Sequence, residues 1–590
     1  MERFEQFRAY AHNHRQSLKL LLTGSGIIGV ASGIATANWQ APIEAAQVMA
    51  GFVSYDPASP VYAMHMTLFT VVNYFLMLLL YLTNSEIIAS VVLCAVIGMI
   101  AMQVLAAMIF LGARNTYLSI FAAVVAAIIH LFGYGIAYPV IFMGTTHANG
   151  RIGLFFAIAA ILFLAFSRFR TGFFLCGLAL LVHPSWGAWI GLCLFLVLIT
   201  GFRYLKPLIT RQNVLAYAAG VGVSVVMMGI HRILYPIAVE ATADPAAGRH
   251  VFVNYIRYFD YHRMRFDNPR WLGRELTYAA VALIVALYAW SRKSESLGEK
   301  LFFHFLAVTS VASVVFVFVP SWFAPESMPA WLISLMPGRF INISVFVALP
   351  LLLGYVLRDR NTITALGAVG VIWAGLYILS RYSPIHPPVG ERELSLLAMA
   401  ALLLVASRYL DAAVRPFPSP ETTSALLAMG ALSIVVLSPV YTWKELPRVR
   451  SNFARIELPE GIRGKVLVTH DQYLLQAQSR VPTYTPLLDG FAHPGGDILS
   501  RVNREMSEIY GVSLSQDPPV AKEFHRGMIQ ANDYAKTWEE RDCTEWARLA
   551  AKYELGLVLT PPDIKLRLPR ADSDPKYNKY WPRCPSAAGI

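Results

Sequence analysis

Glu44 and Asp56 are the first carboxylates after the N-terminal tail, and both stand between two apolar runs that can each cross a bilayer. An acidic group at a hydrocarbon boundary is costly to desolvate and marks a functional position by default. The intervening stretch, residues 38–65, is too polar to cross. In it Glu44 shares a helix face with Gln47 at i, i+3, beside Trp39, and His65 closes the stretch. A carboxylate so held can take a proton from an attacking hydroxyl or bind a ligand. Pro42 and Glu44 also suit a plain helix start. Asp56 before Pro57 also suits a turn.

Other polar groups interrupt apolar sequence further on. His183-Pro184-Ser185-Trp186 breaks a hydrophobic run, with His183 either packed at a kink or aimed into a cavity. His147 and Asn149, just before Arg151, pose the same choice. Residues 254–271 mix Tyr255, Arg257, Tyr258, His262, Arg263 and Trp271. This mixture suits sugar stacking and phosphate pairing, and equally an aromatic belt with basic anchors at headgroup level. Arg339 opens a helix after Met336-Pro337-Gly338, where its charge opposes the macrodipole. With free N–H groups beside it, it makes a donor-phosphate site; the alternative is a snorkelling arginine.

Composition decides the setting for these residues. Of 590 residues, 56% are hydrophobic and 15% charged, against about 25% charged in soluble domains, so lipid must cover part of the surface. The net charge of +12 fits basic cytoplasmic loops, and no nucleic-acid motif accompanies it. No Walker loop, HExxH or GxSxG occurs, which argues against ATP hydrolysis and zinc proteolysis. No metal-type cysteine spacing occurs either.

Apolar runs predict about 13 spans. They lie near 20–37, 66–83, 87–111, 152–166, 172–184, 186–201, 213–236, 275–291, 300–320, 339–357, 362–380, 393–407 and 423–441. Basic loops at 168–170, 203–211, 292–293, 358–360 and 408–415 fall on the cytoplasmic side with the N-terminus, and the loops between them on the outer side. Residues 116–146 are too long for one plain span and carry Gly133, Gly135 and Pro139. Two short re-entrant helices there restore the parity, around a cavity that shields non-helical backbone. The expected fold is therefore a polytopic α-helical membrane protein over residues 1–441, with re-entrant short helices. A small extracytoplasmic α/β domain follows over 442–590, where helices alternate with short apolar strands at 465–469 and 555–560. Cys94, Cys176 and Cys193 lie in apolar runs. Cys543 and Cys584 lie in the outer domain, where thiols oxidise, and are expected to pair.

A cytoplasmic N-terminus, an outer first loop bearing Glu44, broken short helices, Arg339 in a late loop and a trailing outer α/β domain together resemble the GT-C superfamily of integral-membrane glycosyltransferases, in its bacterial form. The resemblance implies a lipid-linked sugar donor, usually a polyprenyl-phosphate sugar. It also implies a glycan or lipid acceptor, and transfer on the outer face of the cytoplasmic membrane during cell-envelope polysaccharide synthesis. By it, Glu44 or Asp56 takes the role of the first-loop acid, and Arg339, Arg257 and Arg263 meet the donor phosphate. Trp39, Gln47, His65, His147, His183, Tyr255, Tyr258 and His262 are then substrate contacts. The first loop has no Asp-x-Asp or paired-acid motif, so no metal ligands are assigned and a divalent metal stays open. A transporter or flippase for lipid-linked glycans, or a polymerase or ligase, would use similar residues.

Overall fold

The computed structural model describes residues 2–67, 69–128, 148–237, 249–254, 282–290, 296–318, 327, 329, 332, 340–358, 453–469, 474–484, 497–515, 531–573 and 576–584. The spans expected at 362–380, 393–407 and 423–441, most of the re-entrant stretch and the domain junction at 441–442 lie outside these residues.

The N-terminal part is a helical bundle. Its helices are α1 (Glu2–Ala35), α2 (Pro42–Met49), α3 (Pro60–Thr67), α4 (Val71–Thr83), α5 (Glu86–Ala113), α6 (Thr116–Ile128), α7 (Ala148–Ala165), α8 (Phe169–Val182), α9 (Pro184–Thr200), α10 (Phe202–Leu205), α11 (Arg211–Leu234), α12 (Leu297–Phe318) and α13 (Phe340–Arg358). Among the described residues four helices are long and apolar enough to cross a membrane, or six if each bent pair counts as one span. Large apolar side chains such as Phe195, Ile199, Val226 and Ile233 point outward on α9 and α11, as lipid contact requires.

Close packing follows from small residues. A Cβ added at Gly98 of α5 would lie 2.2 Å from the Gly29 carbonyl oxygen of α1, so the two backbones touch where only glycine fits. The expected span at 66–83 is instead a broken one. α3 and α4 meet at 107°, because Thr70 turns extended and caps α4 by accepting from the Val72 N–H at 3.3 Å. The break expected at His183-Pro184 is present. α8 and α9 fold back on each other there, with Gly187 against the Leu180 backbone. Thr70 Oγ1 donates to the Val182 carbonyl at 2.7 Å, supplying one of the partners that the end of α8 lacks.

The C-terminal part holds a five-stranded sheet of order β2-β1-β3-β5-β4. The strands are β1 (Lys465–Leu467), β2 (Thr483–Tyr484), β3 (Leu555–Thr560), β4 (Arg570–Ser573) and β5 (Asn578–Tyr580). β1 pairs in parallel with both β2 and β3, and β5 and β4 add an antiparallel edge. Strand alternation sorts the two faces: Val466, Val468, Leu557 and Leu559 share one cluster with Leu475, while Leu467 and Val558 join the other. α14 (Leu475–Ser479) links β1 to β2. α15 (Asp497–Tyr510), α16 (Ala531–Glu540) and α17 (Cys543–Tyr553) cover the second face, through Trp538, Trp546 and Tyr510. Val53, Tyr55, Val61 and Ala63 of the first loop belong to that same cluster, so the loop and the C-terminal part share one core. A disulfide joins Cys543 to Cys584, with Cα atoms 5.0 Å apart.

Candidate functional site

α2 begins at Pro42, whose missing N–H costs nothing in a first turn, and stops before Gly51, which takes φ +73°. Ile43 and Ala46 face the bundle core, and the adjoining face carries Glu44 and Gln47. Burial on both sides needs a second surface, and α14 provides it. Gln476 Nε2 donates to the Glu44 carbonyl at 3.0 Å and to Gln47 Oε1 at 3.4 Å. The first loop folds back over the same residue: Tyr55 hydroxyl donates to Gln476 Oε1 and accepts from the Thr483 N–H at 2.8 Å. His65 reaches the Gln476 side chain as well.

The far side of this network is the start of α5, capped by Ser85. Glu86 Oε1 accepts from Gln47 Nε2 at 3.2 Å and pairs with Arg480 Nε. Arg480 also donates to Asn84 Oδ1 and to the Asn84 carbonyl, at 2.8 and 3.1 Å, and lies 4.4 Å from the Phe52 ring centroid. The guanidinium thus clamps α14 to α5 with its whole fork.

Glu44 itself is only 9% exposed. Its carboxyl accepts from the Ala477 N–H, and Oε1 has no partner. Burial outweighs that one hydrogen bond and pushes the acid up to about 8. The group is therefore mostly protonated at neutral pH and becomes a base just above it. Burial also raises Tyr55, aided by the Glu44 charge, so its hydroxyl stays a neutral donor.

Of the residues anticipated from sequence, Glu44, Gln47 and His65 meet in this network. Asp56 does not join it: its Oδ1 accepts from the Ala58 N–H at 2.9 Å in an exposed turn. Trp39 stands beside the network, donating to the Ala454 carbonyl at 3.3 Å, edge-on to Phe453, with Arg455 over its ring. His183 sits at the α8–α9 fold, Nδ1 3.0 Å from Ser185 Oγ. His147, Tyr255, Arg257, Tyr258, His262, Arg263 and Arg339 lie outside the described residues.

Sequence reasoning missed Tyr55, Glu86, Gln476, Arg480, and a buried pair in which Arg151 Nη2 approaches Gln40 Oε1 at 3.5 Å. Glu86 opens a span and was open to the same boundary argument as Glu44. Gln476 and Arg480 carry only an i, i+4 spacing on a short polar helix, with nothing local to tie them to α2 or α5. Among the described residues, no group of three or more His, Cys, Asp or Glu side chains gathers to hold a metal. Comparisons with protein-family models, with curated proteins and with solved structures return no match.

Proposed function

We propose that this membrane protein is a glycosyltransferase of the GT-C type. It would move a sugar from a polyprenyl-phosphate-linked donor to a glycan or lipid-linked acceptor on the outer face of the cytoplasmic membrane. The observation that carries the reading is the Glu44 carboxyl, buried at the bundle boundary with one oxygen unpartnered. The acceptor O–H gives its proton to Glu44, its oxygen bonds to the sugar anomeric carbon, and the bond from that carbon to the phosphate oxygen breaks, the electron pair leaving with the phosphate. A base titrating near 8 is well matched to this task at neutral pH. Tyr55, Gln476 and Gln47 hold the α2 backbone and side chains while the carboxyl changes charge. Arg339, Arg257 and Arg263 are the cations proposed for the phosphate, on sequence grounds. A divalent metal could add charge there; the described residues offer it no ligand cluster.

Glu44→Gln tests this. It keeps shape and removes the base, so donor binding should persist while turnover falls roughly 10²–10⁴-fold. Wild-type kcat should rise with pH and level off above about 8, because the base must be ionised. Turnover within about threefold of wild type in Glu44→Gln would remove the carboxyl from the chemistry. The same titrating carboxyl also favours a second reading, a proton-coupled carrier of lipid-linked glycan. Glycan translocation in vesicles without any transfer product would select it.

A further inference from the structure

Gln47 follows Glu44 by one turn of α2, at the i, i+3 spacing that makes side chains neighbours on a helix. It is fully buried and carries the kind of N–H group that would satisfy a carboxyl oxygen. Glu44 Oε1 nevertheless has no partner. The polarity of the surrounding hydrogen bonds gives the reason. The Glu44 carbonyl can only accept, so Gln476 must turn Nε2 toward it, at 3.0 Å. The same Nε2 lies 3.4 Å from the Gln47 side chain, which must therefore present Oε1. Gln47 Nε2 is then directed to the other side, where Glu86 Oε1 accepts from it at 3.2 Å. Both ends of the Gln47 amide are engaged, so its plane is not free to turn toward the Glu44 carboxyl.

Glu86, in the first turn of α5, is the outer anchor of this arrangement. The oxygen that receives Gln47 also receives Arg480 Nε. Arg480 is held in turn by its two bonds to Asn84, the C-cap of α4. The other titratable groups around α2 do not compete for Gln47. Tyr55 of the first loop and His65 of α3 meet Gln476. Tyr81 of α4 and Tyr235 beyond α11 donate to the Ala50 and Met49 carbonyls at the far end of α2, at 3.0 and 3.3 Å.

We propose that Glu86 is a positioning residue for Glu44: by accepting from Gln47 Nε2 it keeps that amide from the Glu44 carboxyl, so Oε1 stays unengaged. An N–H given to Oε1 would stabilise the charged carboxylate and weaken it as a base. The use of this device in catalysis rests on the glycosyltransferase reading, in which Glu44 takes the acceptor proton.

The test titrates the Glu44 carboxyl by infrared spectroscopy over pH 6–10, on full-length protein in detergent. Its protonated band is identified by its loss in Glu44→Gln. Burial keeps Tyr55 and His65 neutral across this range. The wild-type midpoint should lie near 8. Glu86→Met removes the acceptor, releases the Gln47 N–H to Glu44, and should lower the midpoint by about one pH unit. Glu86→Gln keeps an accepting oxygen without the charge and should stay within about 0.3 pH units of wild type. Combining Glu86→Met with Gln47→Met should restore the wild-type midpoint, since the competing donor is gone. An unmoved midpoint in Glu86→Met overturns the proposal. So does an equal fall in Glu86→Gln, or a fall that survives Gln47→Met, because either assigns the effect to charge alone. If the unpaired Arg480 keeps Glu86→Met from folding, the same series in an Arg480→Met background carries the same expectations. The pH dependence of kcat should move with the midpoint. A midpoint that falls as expected while no sugar is transferred, or while kcat does not follow, supports the positioning of Glu44 by Glu86 and rejects Glu44 as the base of a glycosyltransferase.

Discussion

Replacing Glu44 by glutamine should make the protein more stable, and increasingly so as pH rises. The carboxyl sits near 8 in the folded chain and near 4.5 in a solvated one, because burial disfavours its charged form. The folded state therefore holds the proton more tightly than the unfolded state. Stability from this group is fully present below about pH 4.5, declines as pH rises toward 8, and is lost above it. Each pKa unit corresponds to about 1.4 kcal/mol, so the full effect is on the order of 5 kcal/mol as an upper bound, with roughly 2 kcal/mol gone by pH 6. Glutamine has the same shape and does not titrate. The difference between variant and wild type should thus be below about 1 kcal/mol at pH 5 and grow to about 4 kcal/mol at pH 8, a shift of several degrees in apparent Tm. Thermal unfolding in one detergent across pH 5–9 measures it, and the pairwise comparison cancels every other titrating group. Parallel pH profiles, or a wild type that outlasts the variant at pH 8, would refute the buried and uncompensated state of this carboxyl.

Other expectations concern the contacts around it. Reducing the Cys543–Cys584 bridge, which closes a separation of 41 residues, should destabilise the C-terminal part by about 2–4 kcal/mol, and unreduced denatured protein should show no free thiol from that pair. Arg480→Met leaves Glu86 facing Gln47 without its cation and should cost about 1–3 kcal/mol in thermal stability. The value falls in the lower part of that range because Arg480 is 30% exposed, and adding Glu86→Gln should recover most of it. Gly98→Val forces a side chain onto the Gly29 backbone and should cost about 2 kcal/mol or more, read as a lower apparent Tm; an unchanged Tm would contradict the close approach of α1 and α5.

Local pattern was enough for much of this architecture. Apolar runs marked α5, α11 and α12, and Pro184 marked the fold between α8 and α9, since hydrocarbon and a missing N–H act on a segment regardless of its neighbours. Alternating short strands and helices announced the parallel part of the sheet, β1, β2 and β3. The antiparallel edge of β4 and β5 was not foreseen. Its sequence is polar and broken by proline, and Tyr580 is buried only because β3 lies beside it. The bend between α3 and α4 was hidden inside one apolar run, because Thr70 reads as a span residue until its hydroxyl meets the end of α8.

For the site, the sequence singled out Glu44 and Gln47 because a carboxylate beside hydrocarbon needs a reason wherever the chain goes. It also offered Asp56, which the structure spends on its own turn. Tertiary structure alone decided what closes over Glu44. Gln476 and Arg480 stand roughly four hundred residues away and reach α2 and α5 through the docking of α14. A sequence records what each segment must bury; which surface does the burying depends on the packing of distant elements. That choice turned a loop carboxylate into an acid titrating near 8, with the Ala477 N–H as its hydrogen-bond donor.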